Sequence, residues 1–224
     1  MDKDLRYEIK YIISLKKFIK LQKIIKKIFI PDPNNEVYIV RSLYFDSYTN
    51  KDLYDALAGI NEKGKLRLRM YNYNKSTIQL EYKQKIESQV LKQKIKLDTK
   101  ETKKLIDCNY HFLLNKTKLS KLIYFKLNTE GYIPKILIDY KRYAYIYPIN
   151  GTRITFDLNT HSSLIYQNFL DKKINLNASS LQNKCVLEVK FKNELLAFIK
   201  NILSNIDKQP ISNSKYRDSR IENI

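Results

Sequence analysis

Residues 65–73, KLRLRMYNY, carry the clearest structural pattern in the chain. Its leucines alternate with basic residues, and a period of two is typical of a β-strand because successive side chains point to opposite faces. The leucines predict an apolar face, whereas Lys65, Arg67 and Arg69 predict a basic face on the other side. A strand that needs a core on one side only is typical of an antiparallel sheet.

Seven other runs in the chain have strand-like patterns, and four have helix-like patterns. The strand-like runs are residues 5–13, 37–46, 77–85, 89–97, 134–148, 152–161 and 184–192. The helix-like runs are residues 15–28, which follow a Ser14 cap, and residues 99–107, 116–128 and 194–203. This pattern predicts an α+β fold, an eight-stranded antiparallel β-barrel with flanking helices. The chain shows no internal repeat or linker, so we expect a single domain over residues 1–224.

The composition narrows the class of protein and of partner. Apolar residues make up 43% of the chain and aromatic residues 12%, which excludes a wholly disordered protein. The formal net charge of +19 favours a polyanionic partner, although lysine, asparagine and isoleucine are abundant throughout, so arginines in strands are the stronger indication. Cys108 and Cys185 form no CxxC motif. The first residues lack the apolar core of a signal peptide, and no apolar run is long enough to span a membrane, so we expect a cytosolic protein.

Charged or phenolic side chains recur at alternate positions of several predicted strands, so each strand directs them to one face. They are Glu8, Lys10, Lys65, Arg67, Arg69, Glu81, Lys83, Lys85, Lys92, Lys94, Tyr140, Arg142, Arg153, Glu188 and Lys190. On a single strand, the ordinary water-facing side of a half-buried sheet explains the pattern. On several neighbouring strands, repulsion between like charges favours a polyanion bound inside the barrel. By the same reasoning, removing one cation should leave the stability of the free protein unchanged or slightly raised.

Acidic residues interrupt the basic faces at Glu8, Glu81 and Glu188. Their carboxylates could neutralise lysines or hold a hard divalent metal ion through oxygen ligands. Glu188 lies in a strand of otherwise apolar residues, where an unpaired carboxylate is costly, and we expect it to carry the metal. The alternative for Glu188 is a buried Glu–Lys ion pair.

Eight short motifs, taken together, resemble the VTC (vacuolar transporter chaperone) polyphosphate polymerase domain, within the triphosphate tunnel metalloenzyme superfamily. In chain order they are RYEIKY, SLYFD, GKLRLRMY, LEYKQK, YKRYAY, RITFD, VLEVKF and SKY, from residue 6 to residue 216. The resemblance therefore covers nearly the whole chain. It implies an eight-stranded tunnel in which basic side chains grip a triphosphate and a growing phosphate chain.

The resemblance also implies roles for particular residues. Phosphate contacts central to catalysis are implied at Lys10, Arg67, Arg69, Lys83, Arg142 and Lys215. Further substrate contacts are implied at Lys92, Lys94, Tyr140, Arg153, Lys190, Ser214 and Tyr216, and the strand faces add Lys65 and Lys85. Glu188 is the implied ligand of Mn²⁺ or Mg²⁺, and the late SKY motif is expected to be part of the active site.

The activity implied by the resemblance is ATP-dependent polyphosphate synthesis, in which the ATP γ-phosphate passes to a growing chain. A CYTH-type triphosphatase is the first alternative. Those enzymes have the pattern ExExK in the first strand, whereas this chain has Arg6, Glu8 and Lys10 at the corresponding positions. A non-catalytic module that binds polyphosphate or nucleic acid is the second, with tyrosines able to stack on bases. Inward carboxylates such as Glu188 disfavour nucleic acid. The resemblance further implies ATP and polyphosphate as partners and a small membrane protein that holds the chain at the inner membrane face; the oligomeric state stays open.

Overall fold

A computed structural model of the chain describes residues 6–33, 35–60, 63–86, 89–204, 206, 210–211 and 214–223. The side chain of Lys85, predicted to bind phosphate, lies outside this description. The strands are β1 (Arg6–Ser14), β2 (Ile30–Pro31), β3 (Val37–Ser47), β4 (Lys63–Tyr71), β5 (Asn74–Ile86), β6 (Gln89–Lys96), β7 (Tyr132–Ile146), β8 (Arg153–Ser163), β9 (Asn177–Ala178) and β10 (Lys184–Lys192). The helices are α1 (Leu15–Ile28), α2 (Lys51–Leu57), α3 (Thr99–Ile106), α4 (Lys118–Thr129), α5 (Ala197–Ser204) and α6 (Lys215–Ile221), with a 3₁₀ turn at His111–Asn115.

Eight of the strands form the main path of one sheet, in the order β1-β10-β8-β7-β3-β4-β5-β6. The pairings β1–β10, β10–β8, β3–β4, β4–β5 and β5–β6 are antiparallel. The short strands β2 and β9 lie off this path, on β7 and β8. The predicted α+β class with eight antiparallel strands is confirmed. The path has β1 and β6 at its ends, so strand pairing in the described residues does not close the predicted barrel.

The chain divides into two compact units. The first comprises Met1–Ile39, Tyr140–Thr160 and Ala178–Ser214, and the second comprises Val40–Asp139, His161–Asn177 and Lys215–Ile224. That a single domain covers residues 1–224 stays a prediction. In the described parts of the chain, no helix combines the length and the apolar content needed to cross a lipid bilayer.

The core of the first unit joins α1 and α5 to β8 and β10. Phe18 and Ile25 of α1 cluster with Phe156 of β8, Leu187 of β10 and Ile199 of α5, all buried. The helix α1 begins where the sequence predicts, since the hydroxyl of the residue before it accepts a hydrogen bond from an N–H group of the first turn at 3.2 Å. The apolar sides of the strands therefore face helices.

The core of the second unit covers the apolar face of β4. Leu66 and Leu68 of β4 are fully buried and cluster with Leu80 of β5, Leu105 of α3 and Ile123 of α4. The predicted apolar face, covered by helices, is confirmed. The charged residues between these leucines consequently lie on the opposite face of the sheet.

A buried arginine strengthens the second unit. Arg41 binds Asp139 with Nε 2.8 Å from Oδ1 and Nη2 2.8 Å from Oδ2, and it also donates to the carbonyl oxygens of Phe169, at 3.1 Å, and Asp171. The Tyr73 ring lies 4.5 Å from the guanidinium carbon. These partners occupy Arg41 fully, so its role is to join strands and a loop within the unit.

Candidate functional site

The first charged cluster, which we call the Glu81 cluster, consists of Arg67, Arg69, Glu81 and Lys92 on β4, β5 and β6 of the second unit. Arg67 holds Oε2 of Glu81 with Nε at 2.8 Å and Nη2 at 2.7 Å. Lys92 Nζ lies 2.7 Å from Oε1, and Arg69 Nη1 lies 3.7 Å from Oε2. One carboxylate, only 1% exposed, therefore joins three cations.

Electrostatics keep the Glu81 cluster charged at neutral pH. Burial raises the pKa of the Glu81 carboxyl, but Arg67, Arg69 and Lys92 outweigh this effect and lower the pKa to about 2. Burial and the two arginines lower the pKa of Lys92 to about 8, although Glu81 opposes them. The cluster thus holds more positive than negative charge in a largely buried place, which favours the binding of an additional anion.

Other predicted lysines lie beside the Glu81 cluster. Lys65 pairs in register with Lys83, and Lys83 pairs with Lys92, so lysines cross three neighbouring strands. Lys65 and Lys83 are half-buried. The Cα of Lys94 lies opposite that of Glu81, but the side chain of Lys94 is exposed. The ion pair with Glu81 is made by Lys92, whose side chain crosses diagonally from β6 to β5. The structure therefore brings most of the basic face predicted for β4 to β6 together in the second unit.

The second charged cluster, the Glu188 cluster, consists of Glu8, Lys10, Glu188 and Lys190 on β1 and β10 of the first unit. Lys10 Nζ lies 2.7 Å from Glu8 and 3.8 Å from Glu188. Lys190 Nζ lies 2.6 Å from Glu188 and 3.4 Å from Glu8. Burial raises the pKa of Glu188, but Lys190, Arg142 and Lys10 outweigh it and hold the pKa well below its usual range. Two carboxylates balance two ammonium groups, which is the ion-pair alternative for Glu188, and its metal role stays a prediction.

Two predicted arginines of the first unit also have carboxylate partners. Arg142 binds Asp157 through two hydrogen bonds, with Nε 2.6 Å from Oδ1 and Nη2 2.7 Å from Oδ2, and its guanidinium carbon lies 5.2 Å from the centre of the Tyr140 ring. Arg153 Nη2 lies 2.8 Å from Asp32 Oδ2. Asp157 orients Arg142, because a forked pair fixes the plane of the guanidinium group, whereas Asp32 contacts Arg153 through one nitrogen.

The oxygen donors of the first unit fit a divalent metal ion only in part. Mg²⁺ and similar hard cations bind through one or two carboxylates and take their other ligands from substrate phosphates and water. Glu8 and Glu188, which share the same two lysines, fit the carboxylate part of such a set. Across the residues that the structure describes, no three His, Cys, Asp or Glu side chains are gathered in a way that could hold a metal without other ligands.

The SKY motif lies at the start of α6, where Ser214 and Lys215 are half-buried. Tyr216 is 2% exposed and donates its hydroxyl hydrogen to Asp46. Asp46 also accepts hydrogen bonds from two N–H groups in the first turn of α2, at 2.8 and 3.0 Å. The bond of Tyr216 to Asp46 therefore links α6 to the start of α2, and the contact of Tyr216 with phosphate stays a prediction. Burial and the Asp46 carboxylate raise the pKa of Tyr216, so the phenol keeps its hydrogen.

Two residues of the SLYFD motif, Tyr44 and Asp46, lie beside predicted site residues, although the sequence pattern assigns them no role. Tyr44 pairs in register with Arg67 and accepts a hydrogen bond from Arg67 Nη1 at 2.9 Å. Its ring centre lies 5.4 Å from that of Tyr216. Tyr44 faces the same side of the sheet as Arg67, because the two residues are paired on neighbouring strands. The sequence pattern could have indicated this only if the pairing of β3 with β4 had been known.

Comparison with solved structures shows shared folds at low identity. A candidate adenylate cyclase from Bacillus halodurans is 16% identical with a TM-score of 0.59, covering 97% of this chain and 98% of that chain. HpAC1 from Hippeastrum, a candidate adenylyl cyclase described as having a dominant triphosphatase activity, is 14% identical with a TM-score of 0.55, covering 96% and 95%. A chain of the Mediator head module of Schizosaccharomyces pombe is 10% identical with a TM-score of 0.53, covering 92% and 97%. Such different proteins show that the fold alone does not settle the activity.

Comparison of the sequence itself is more specific. No curated protein sequence matches the chain. The family model of the VTC domain matches residues 5–221, which include the strands of both charged clusters and α6. The resemblance drawn from the eight motifs is thereby confirmed. The chain belongs to the VTC domain family and has the fold of the triphosphate tunnel proteins.

Proposed function

We propose that the chain is a polyphosphate polymerase that transfers the γ-phosphate of ATP to the end of a polyphosphate chain. The observation that carries the proposal is the Glu81 cluster, in which one buried carboxylate holds more cations than it can neutralise. A triphosphate supplies the missing negative charge, and arginine forks suit its oxygens. The match to the VTC domain supports the same substrate class.

The proposed reaction asks mainly for positioning and charge neutralisation. A terminal oxygen of the polyphosphate chain attacks the γ-phosphorus of ATP, the bond from that phosphorus to the β,γ-bridging oxygen breaks, and ADP leaves. The attacking phosphate oxygen is already ionised near neutral pH, so no side chain has to remove a proton. Arg67, Arg69 and Lys92 would stabilise the charge on the transferring group.

A divalent ion, Mn²⁺ or Mg²⁺, would polarise the phosphate oxygens when it is bound. In the proposal, Glu188 and Glu8 hold that ion together with phosphate oxygens. Lys10 and Lys190, which contact both carboxylates, would keep the pair deprotonated and ready for the cation. Arg142, held by Asp157, would face the substrate with a fixed orientation.

Triphosphate hydrolysis is the second candidate, favoured by the triphosphatase activity described for the Hippeastrum protein. A hydrolase needs carboxylates that position a water molecule. Here Glu8 is bound to Lys10 and Lys190, and position 6, where the ExExK pattern has its first glutamate, is an arginine. These features support transfer to a phosphate chain over transfer to water.

The deciding experiment incubates the purified protein with ATP and Mn²⁺ and separates long-chain polyphosphate from free phosphate. We expect polyphosphate and ADP in proportion. An Arg67→Ala protein purified in the same way controls for contaminating kinases, and it should form both products at on the order of a hundredth of the wild-type rate or less. Free phosphate without polyphosphate would assign the chain to the triphosphatases, and binding without turnover would assign it to non-catalytic phosphate-binding modules.

A further inference from the structure

Tyr44 connects the Glu81 cluster to the C-terminal helix within the second unit. It is 5% exposed, its ring packs against that of Tyr216, and Arg67 donates a hydrogen bond to its oxygen at 2.9 Å. Tyr216 is itself fixed through Asp46. The position of the Tyr44 hydroxyl is therefore determined from two sides, by α6 and by β4.

The hydroxyl of Tyr44 has an unused donor. A phenol can donate one hydrogen bond and accept others, and buried hydroxyl groups generally do both. The oxygen of Tyr44 accepts from Arg67, but for its own hydrogen the described residues provide no acceptor. The neighbouring groups on β4 are Lys65, Arg67 and Arg69, all of them cations and none of them acceptors. A phosphate oxygen bound beside Arg67 and Arg69 would supply such an acceptor.

We propose that Tyr44 is a further phosphate-binding residue, which donates its hydroxyl hydrogen to a phosphate oxygen held by Arg67 and Arg69. The inference rests on the proposed function, because it needs a phosphate chain on this face of the sheet. It also assigns a role to α6, since the tilted ring of Tyr216 packs against Tyr44 and holds the donor beside Arg67. Tyr44 would contact substrate, whereas Tyr216 would position it.

The hydrogen on Tyr44 makes this contact dependent on pH. Burial raises the pKa of Tyr44, but Arg67, Arg69 and Lys65 outweigh that effect and lower the pKa to about 7. Glu81 binds Arg67, which lies between it and Tyr44. From α6, the group next to Tyr44 is the neutral ring of Tyr216. A phenolate cannot donate, so the contribution to binding is complete below pH 7 and is lost as the pH rises above it. A bound anion restores the hydrogen by raising the pKa again.

The test measures the affinity of inorganic tripolyphosphate, without metal, by calorimetry at pH 6 and pH 8. Tyr44→Phe keeps the ring and removes the donor, and Tyr54→Phe, the same change on the exposed side of α2, is the matched control. At pH 6 we expect Tyr44→Phe to bind about tenfold more weakly or worse, which is the usual loss for a hydrogen bond to a charged group. At pH 8 the ratio of the two affinities should approach one. Tyr54→Phe should match the wild type at both pH values.

A second measurement uses the unmodified protein. At pH 8 the ultraviolet absorbance of tyrosinate should fall when tripolyphosphate is added, because the bound anion returns the hydrogen to Tyr44. Equal affinities of the wild type and Tyr44→Phe at pH 6, or a ratio that does not change with pH, overturn the inference and leave the proposed function intact. Failure of the wild type to bind tripolyphosphate overturns both.

Discussion

The carboxylate of Glu81 holds the guanidinium group of Arg67 through two nitrogens, with Nε 2.8 Å and Nη2 2.7 Å from the same oxygen. The pair is almost closed to solvent on the Glu81 side, which is 1% exposed. Charges in such a place are costly to leave without a partner. Removing a cation of the basic face therefore leaves the buried Glu81 carboxylate with fewer partners.

Arg67→Ala and Arg69→Ala should each reduce turnover by on the order of a hundredfold or more, because each removes a charge that stabilises the transferring phosphate. From sequence alone, relief of repulsion predicted unchanged or raised stability. The ion pair with Glu81 reverses the sign for Arg67, and we expect Arg67→Ala to lose roughly 1–3 kcal/mol of unfolding free energy. Arg69, 3.7 Å from Glu81, should cost less.

Activity assays and chemical denaturation of both variants check this expectation. Lys103→Ala, on the exposed side of α3, is the control and should alter neither quantity. Wild-type activity in Arg67→Ala or Arg69→Ala would remove the basic face of β4 from the proposed site.

Glu81→Gln should destabilise the free protein at neutral pH and improve binding of tripolyphosphate, since three cations lose their internal counter-ion. Folding lowers the pKa of Glu81 from 4.5 to about 2. The ionised carboxylate therefore stabilises the fold at pH values above its pKa in the unfolded chain, and this stabilisation is lost as the pH falls towards 2. The shift corresponds to about 3 kcal/mol. Denaturation curves from pH 2 to pH 7 should therefore converge for the two proteins at the acid end. A constant difference across that range would contradict the assignment.

Glu188→Gln tests the metal. The change keeps the shape of the side chain and removes its charge, so metal-dependent activity should collapse while tripolyphosphate binding without metal persists or tightens. Binding of Mn²⁺ in the presence of tripolyphosphate, followed by electron paramagnetic resonance, gives a readout besides activity. Glu8→Gln is the informative comparison, because Glu8 shares Lys10 and Lys190 with Glu188. If Glu188→Gln keeps normal activity and metal dependence, Glu8 or Glu81 becomes the better candidate.

Truncation after Ser212 and the single change Lys215→Ala should both impair polymerisation. Truncation should also lower the melting temperature, because α6 buries Tyr216 and Arg220, and Arg220 donates a hydrogen bond to Asn50 at 3.1 Å. Removing a buried aromatic side chain costs about 3–5 kcal/mol. For a chain of this size the truncated protein should melt on the order of 10 °C lower.

Lys215→Ala is the control for that effect, because Lys215 is only half-buried, and its melting temperature should stay within a few degrees of the wild type. Differential scanning calorimetry of the two proteins separates the roles. Normal polymerisation by the truncated protein would take Lys215 out of the site.

The strands and their faces could be predicted from the sequence, because alternation and capping are local properties of the chain. The run at 65–73 predicted that leucines and cations of β4 would face opposite ways, and Leu66 and Leu68 are buried as expected. The strand predicted over 184–192 has those bounds in the structure, and α1 begins after Ser14. Local signals did not predict α6, because a helix of seven residues depends on contacts made elsewhere in the fold.

Which charged side chains form ion pairs depends on the folded arrangement of the strands. Lys92 and Lys94 are equivalent in the sequence pattern, yet Lys92 reaches Glu81 because the strands pair in one register and side chains reach diagonally across it. Tyr44 and Tyr216 lie far apart in the chain, and their rings are in contact because β3 and α6 come together. Ion pairs and ring contacts depend on distances of a few ångströms between residues that are distant in the sequence, and only folding brings these residues together.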